Sequence, residues 1–315
     1  MIIALHRMTP EARECLDVLR ALADPRAEIM VVCDRCPTNL PEGVRVLETG
    51  SPTDTSPAEK RDLALETVIA PICAFIDDDA YPAPDWLDVA LDRFAADSGL
   101  QALGGPGITP PGSSFSRRLA GAFYESRFGS GGLRHRFVSL APGRTVEDWP
   151  AYNFFVRTQA LRSVGGWASS YYGGEDTKLC LALRDAGHRI VYDPDVIVFH
   201  HRRPVFRPLM RQTGNVGRRR GSFVRLHPGT SRLPIYFAPS AALIAIPLAW
   251  FAAWRLGYLR PVASSTVLAW SAISLTAWSD GARLGEALAL PAALTAGHGA
   301  YGWYFLRGLL GRGGA

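Results

Sequence analysis

Three long uncharged runs in the last third of the chain bound what it can fold into. Residues 235–254, 261–279 and 287–306 hold no Asp, Glu, Lys or Arg. A bilayer core of about 30 Å takes about twenty apolar residues as a helix, and each run just meets that length. Five of the eight tryptophans (Trp250, Trp254, Trp270, Trp278 and Trp303) fall in these runs, several near the ends where interfacial aromatics collect. Buried helices of a soluble bundle share this composition, but three runs in succession favour a membrane domain over residues 233–315, with about three hydrophobic helices. The third run, which holds Pro291, His298 and several glycines, is the weakest of them.

The stretch before the runs is basic. Between Arg202 and Arg232 there are nine arginines and no acid. Such a cluster beside a span belongs on the cytoplasmic side, and it attracts anionic membrane lipids. It lacks interleaved aromatics and matches no nucleic-acid motif, so nucleic acid is not expected as a partner. The expected location is therefore the inner (cytoplasmic) membrane, with residues 1–228 facing the cytoplasm and residues 202–232 as a membrane-proximal segment. Arg255 and Arg260 fall outside if the first run crosses fully, which keeps a re-entrant or interfacial hairpin open. The amino-terminal apolar run is too short for a signal peptide. Five scattered cysteines give no disulfide framework, the single CxxC of Cys33 and Cys36 reads as incidental, and a reducing compartment follows.

Residues 1–228 alternate between strand and helix. Residues 2–5 form a short apolar strand, and Thr9-Pro10 supplies an N-cap with proline at the first helical position. Residues 29–33 read as a buried strand ending at Asp34. The capping box Ser56-Pro57-Ala58-Glu59 opens a helix that reaches about residue 69. Residues 72–76 are the next strand, and it ends in Asp77, Asp78 and Asp79. Alternation of this kind implies a largely parallel sheet, whose ligands bind beyond the carboxyl ends of its strands. Asp34 and Asp77–Asp79 both fall there.

Three adjacent carboxylates repel one another unless a cation neutralises them. Their spacing is not that of an EF-hand, and the chain has neither a Walker loop nor a GxGxxG turn. A hard cation held by one or two carboxylates together with substrate phosphates is the economical arrangement that remains. A second acidic site stands in GGEDTKLCLALRDAG, where Leu179, Ala182, Leu183 and Ala186 mark one buried helical face. Glu175 and Asp176 open that helix after Gly173-Gly174. Acids at a helix start are ordinary caps, so alone they would carry no chemistry. The strand at residues 196–199 then delivers His200 and His201, and a histidine beside an acidic metal site is a credible ligand.

The order of these stretches resembles glycosyltransferase family 2, the inverting nucleotide-sugar transferases of GT-A fold. The resemblance is carried by EIMVVCD, SPAEKRDLAL, AFIDDDAYPAPDWL, YNFFVRTQALRSVGGW, GGEDTKLCLALRDAGHRIVYDP and VIVFHH, and it spans roughly residues 1–201. The basic tail and hydrophobic runs are similar to those of membrane-associated members that build bacterial exopolysaccharides and glycolipids. The resemblance implies an α/β GT-A domain with a mostly parallel, Rossmann-like sheet, followed by transmembrane helices. It also implies a divalent metal (Mn2+ or Mg2+), a nucleotide-sugar donor, and a lipid-linked or glycan acceptor. Asp77 and Asp79 would then hold the metal, with Asp78 beside them at the donor and His200 completing the metal shell. Asp34 would contact the nucleotide base, and Arg61 would lie near the base or the diphosphate. Asp176 would be the general base with Glu175 beside it, while Gln212 and Arg218 would take the place of a basic motif near the leaving diphosphate.

The chain departs from the family pattern in three places. The first loop, ALHRMTPEA, lacks the usual asparagine, Cys33 replaces a frequent acid, and Asp62 stands where asparagine often follows the arginine. These departures bear on base and sugar contacts, not on the fold. A sugar nucleotidyltransferase, a metal-dependent phosphohydrolase and a non-catalytic membrane scaffold are the competing readings; metal-dependent release of a nucleoside diphosphate separates them. The glycine-rich residues 128–136 read either as an acceptor-side loop or as an ordinary surface loop.

Overall fold

The structure, a computed structural model, describes residues 1–311 apart from residue 38 and residues 170–172. Its contacts divide the chain into two compact units. One is Met1–Pro110 with His135–His201; the other is Pro111–Arg134 with Arg202–Ala315. The stretch 202–228, expected to belong with the catalytic domain, therefore packs with the carboxyl-terminal helices, and so does the internal segment 111–134.

The first unit is a mixed α/β fold. Its strands are β1 (Ile2–Leu5), β2 (Ile29–Cys33), β3 (Val44–Glu48), β4 (Ile72–Ile76), β5 (Ala80–Pro82), β6 (Ala102–Gly104), β7 (Gly107–Ile108), β8 (Arg144–Val146), β9 (Asn153–Arg157), β10 (Ile190–Tyr192) and β11 (Val198–His200). Its helices are α1 (Pro10–Ala21), α2 (Pro57–Thr67), α3 (Trp86–Ala96), α6 (Thr158–Ser163) and α7 (Glu175–Asp185). Eight strands form one sheet in the order β3-β2-β1-β4-β9-β6-β10-β8, and β5-β11-β7 form a second. The first four strands run parallel, as the alternation implies, but β9 is inserted antiparallel between β4 and β6. Neighbouring residues of each strand face opposite sides. Ile2, Met30, Val32 and Phe75 therefore join the core beneath α2, α6 and α7, while Ile3, Val31 and Ala74 join the core beneath α1 and α3.

The expected caps form. Thr9 accepts the Ala12 N–H, and Ser56 and Glu59 close a reciprocal box at the start of α2. The reading of the CxxC of Cys33 and Cys36 as incidental is corrected: the two form a disulfide. The turn after β2 brings their Cα atoms to 5.6 Å, inside the range a disulfide spans.

The second unit is helical: α4 (Phe115–Glu125), α5 (Arg127–Ser130), α8 (Arg207–Leu226), α9 (Pro228–Ser231), α10 (Pro234–Leu256), α11 (Leu259–Ser279) and α12 (Leu284–Leu309). Three membrane-crossing helices were expected. Among the described residues one helix, α10, is long and apolar enough to cross a membrane. Helix α12, which carries the third run, buries Leu290, Ala293, Leu294 and Phe305 inside the unit.

Close approach of α8 and α12 depends on glycine. A Cβ on Gly221 would sit 2.1 Å from the Phe305 carbonyl oxygen, and one on Gly217 would sit 2.4 Å from that of Tyr301. Gly221→Ala is therefore expected to destabilise the unit by about 1–3 kcal/mol or more, since backbone cannot yield as a side chain can. Gly299→Ala, whose Cβ would meet nothing within 4 Å, is the matched control and should cost nothing. Equal unfolding temperatures for the two variants would contradict this seam.

Candidate active site

Helix α2 organises the site from one turn. Its capping box fixes where the helix starts, so Lys60, Arg61 and Asp62 leave the axis in directions about 100° apart. Each reaches a different segment. Lys60 is only 3% exposed, and its ammonium donates to Asp34 Oδ2 (2.7 Å) and to the Leu5 carbonyl (3.0 Å). Arg61 donates to Asp77 Oδ1 at 2.9 Å, lies 3.7 Å from Glu175 Oε1, and stacks 4.5 Å from the Trp167 ring centroid. Asp62 accepts the N–H groups of Trp167 (2.7 Å) and Ala168 (3.0 Å). A buried ammonium or guanidinium is tolerated only when paired, and both are.

Asp34 is engaged by the protein itself. It accepts from Lys60, from the Thr49 hydroxyl (2.8 Å), and from both the hydroxyl and the N–H of Thr55. Burial alone would raise its pKa, but the hydrogen bonds from Lys60, Thr55 and Thr49 outweigh burial and hold it at about 2. Its carboxylate thus secures the loop at 49–55, a part the sequence reading did not give it.

Asp77 and Asp79 stand at the end of β4, and β11 delivers His200 to them. The antiparallel pairing of β11 with β5 sets His200 opposite Ala80, and the His201 N–H donates to the Asp79 carbonyl at 2.9 Å. Ligand atoms of Asp77, Asp79 and His200 lie within 4.8 Å of one another, with His200 Nε2 3.0 Å from Asp79 Oδ1. His201 turns instead to Glu14 at 2.7 Å, so of the two histidines it is His200 that joins the aspartates. Two carboxylates and an imidazole suit a divalent ion such as manganese. The charge balance fits as well: burial, then the neighbouring aspartates, push Asp78 up to about 7, and burial raises Asp77 despite Arg61. A cation would relieve that strain.

Glu175 and Asp176 open α7 after Gly173 and Gly174, both at positive φ. Glu175 Oε2 is buried without a hydrogen-bond partner among the described residues, and burial followed by the nearby Asp176 charge raises this carboxyl to about 7. Asp176 Oδ1 accepts the Thr177 N–H at 2.7 Å, which orients its carboxylate. Two residues absent from the sequence reading secure this turn. Asp148 accepts from the Thr177 hydroxyl (3.3 Å) and pairs with Arg136. The one available signal for Lys60 was its rarity, since Lys178 is the chain's other lysine. Gln212 and Arg218 both lie on α8 in the second unit, where Gln212 Oε1 accepts from the Tyr124 hydroxyl at 3.3 Å.

The raised carboxyls give a pH dependence with a definite sign. Folded values near 7 for Asp78 and Glu175 exceed the ordinary 3.8 and 4.5. Between those limits the folded chain holds protons that the unfolded chain releases, so raising pH favours unfolding. Chelator-treated protein is therefore expected to melt at a lower temperature at pH 8 than at pH 5.5, and Asp78→Asn should flatten the slope. A melting temperature that climbs across this window would contradict the assignment.

Comparison with known proteins bears on the family and the fold. The profile of the family described as glycosyl transferase family group 2 matches residues 72–306. The pre-mycofactocin glycosyltransferase of Mycobacterium tuberculosis is 30% identical over 177 residues, which are 56% of this chain and 37% of that protein. The succinoglycan biosynthesis protein ExoA of Rhizobium meliloti is 33% identical over 159 residues, 46% of this chain and 47% of its own length. The match thus spans less than half of each of these relatives. Among solved structures, the mannosyltransferase PcManGT of Pyrobaculum calidifontis, in complex with GDP-Man and Mn2+, aligns with 99% of this chain and 87% of its own. Its TM-score is 0.57 at 20% identity, a likeness of fold. With the family profile covering most of its length, the chain belongs to glycosyl transferase family group 2.

Proposed function

We propose that this chain is a metal-dependent inverting glycosyltransferase, moving a sugar from a nucleotide-sugar donor to a hydroxyl of a lipid-linked or membrane-proximal glycan acceptor. The observation that carries the reading is the convergence of Asp77, Asp79 and His200 beside Arg61, Glu175 and Asp176. Asp77, Asp79 and His200 would hold Mn2+ or Mg2+, which when bound neutralises charge developing on a leaving diphosphate. Arg61, fixed between Asp77 and Glu175, supplies a second positive charge on the same side. Asp34 and Lys60 shape the nucleotide end through the loop at 49–55. Asp176, oriented by Thr177, takes the acceptor hydroxyl's proton as its oxygen attacks the anomeric carbon. A single displacement with one carboxylate base inverts configuration.

The apolar helix α10 and the arginines of residues 202–232 support a place at the inner membrane, with the catalytic unit cytoplasmic. The deciding experiment is a nucleotide-sugar screen with purified protein in Mn2+ or Mg2+, followed by identification of the glycosylated lipid. Release of nucleoside diphosphate with a new glycosidic product supports transfer. Release of inorganic phosphate, or of pyrophosphate, would replace it with a hydrolase or a nucleotidyltransferase.

A further inference from the structure

The second unit carries a strong charge asymmetry. By sequence it holds eighteen arginines, no lysine and three acids, Glu125, Asp280 and Glu286, a net of +15 within a chain whose total is +5. Two of those acids are already paired, Asp280 with Arg134 and Glu286 with Arg118. The same unit exposes a large apolar surface that is densest on α10 and α11, including Ile246, Leu248, Phe251, Trp254 and Leu268, with fewer exposed apolar side chains such as Leu288 and Trp303 on α12.

The two legs of this surface are rooted at their outer ends. On α10, Tyr236 lies under Arg220 (4.6 Å), Phe237 meets Phe305 (5.0 Å between ring centroids), and Ser240 donates to the Gly302 carbonyl (3.0 Å). On α11, Ile273 and Ala277 join the cluster of Leu119, Phe123, Ala287 and Leu290. Between these roots, residues 241–272 carry just two charges, Arg255 and Arg260, on either side of the turn at Gly257. Sixteen and fourteen helical residues give these arms lengths of roughly 24 Å and 21 Å, most of a hydrocarbon core of about 30 Å.

Helix α12 is held differently. Its first turn pairs Glu286 with Arg118 at 2.8 Å, Gly297 lies against Phe123, and Tyr301, Phe305 and Gly308 pack on Gly217, Gly221 and the Arg218 carbonyl. Of the helices packed on it, α8 carries arginine along its length and α4 carries Arg117 and Arg118 near its start. Drawing α12 through a bilayer would draw those arginines and the buried Glu286 with it, and charged groups are excluded from that position.

We infer that α10 and α11 form a two-helix hairpin seated in an anionic lipid bilayer, with α12 outside the hydrocarbon, so that residues 233 and 310 lie on the same side of the membrane. This rests on the membrane reading of the proposed function and fixes its form. The arginines around the roots face the phosphates of the near leaflet, and Arg255 and Arg260 extend from the tip to polar groups at depth.

The test uses the full chain in a bacterial host. Unaltered protein is expected to stay with membranes through an alkaline carbonate wash. A fluorescent reporter joined after residue 315 should be bright, and a phosphatase active only outside the cytoplasm should be silent there. An active phosphatase means an odd number of crossings and overturns the hairpin. Ile246→Arg, Leu248→Arg and Leu268→Arg together alter exposed side chains only, and should move more than tenfold of the chain into the soluble fraction with its melting temperature kept. Retention of that variant in carbonate-washed membranes overturns the hairpin while leaving membrane attachment standing. Release of the unaltered chain by carbonate removes the membrane reading itself. With purified protein, flotation on phosphatidylcholine vesicles should rise at least tenfold when phosphatidylglycerol is included; equal flotation overturns the anionic preference.

Discussion

Asp79→Ala is expected to abolish sugar transfer and to weaken Mn2+ binding by more than the roughly 10–100-fold that outer-shell changes cost at metal sites. The expectation follows from position. Asp79 stands between Asp77 and His200, with its Oδ1 3.0 Å from His200 Nε2, and its backbone carbonyl is held by the His201 N–H. The main chain is therefore fixed by β11, and truncating the side chain removes a ligand without loosening the strand end. Asp78→Asn is the control, because Asp78 Oδ2 faces the His6 N–H at 3.5 Å and not the trio. That variant should keep most of its metal affinity. Binding is read by calorimetry or by the electron spin resonance of free Mn2+, so the outcome does not depend on knowing the acceptor. Unchanged Mn2+ affinity in a folded Asp79→Ala protein would remove the trio from the mechanism.

The parts of this site that were legible in the sequence are those coded locally. Asp34, Asp77 and Asp79 follow apolar strands of the parallel part of the sheet, so that pattern brings them to one edge, whereas His200 arrives on β11 of the second sheet through its antiparallel pairing with β5. The insertion of β9 between β4 and β6 was not legible. Asn153–Arg157 is buried along most of its length, and its apolar middle, Phe154 to Val156, carries no mark of its direction. The pairing of Lys60 with Asp34 is a contact across the fold that no local pattern announces. The packing of helix α12 was illegible for a related reason: Ala287, Ala293, Gly297 and Gly302 give an uncharged run equally suited to lipid or to close packing by neighbouring helices. Composition measures how apolar a helix is, whereas its partners decide what that surface meets.

The largest expected effect on turnover alone belongs to Asp176. Its carboxylate stands at the start of α7, where the helix's partial positive charge favours the ionised form, and the Thr177 N–H fixes its orientation at 2.7 Å. An ionised carboxylate accepts a hydroxyl proton; an amide of the same shape does not. General-base catalysis contributes typically about 10²–10⁴-fold, so Asp176→Asn is expected to lose that much turnover or more. Donor affinity should change little, because Asp34 is held by Lys60, Thr49 and Thr55, Asp77 by Arg61, and Asp79 by His200. Glu175→Gln should behave differently. Glu175 lies 3.7 Å from Arg61, and Arg61 in turn donates to Asp77 at 2.9 Å, so neutralising it should disturb donor binding along with turnover. Its loss in turnover should be the smaller of the two. Both variants need turnover and donor binding measured on the same folded preparations, with Thr177 and Asp148 left intact so that the α7 turn keeps its support. If Asp176→Asn keeps turnover within about threefold while Glu175→Gln loses the full general-base contribution, the base is Glu175 and the assignment to Asp176 is wrong.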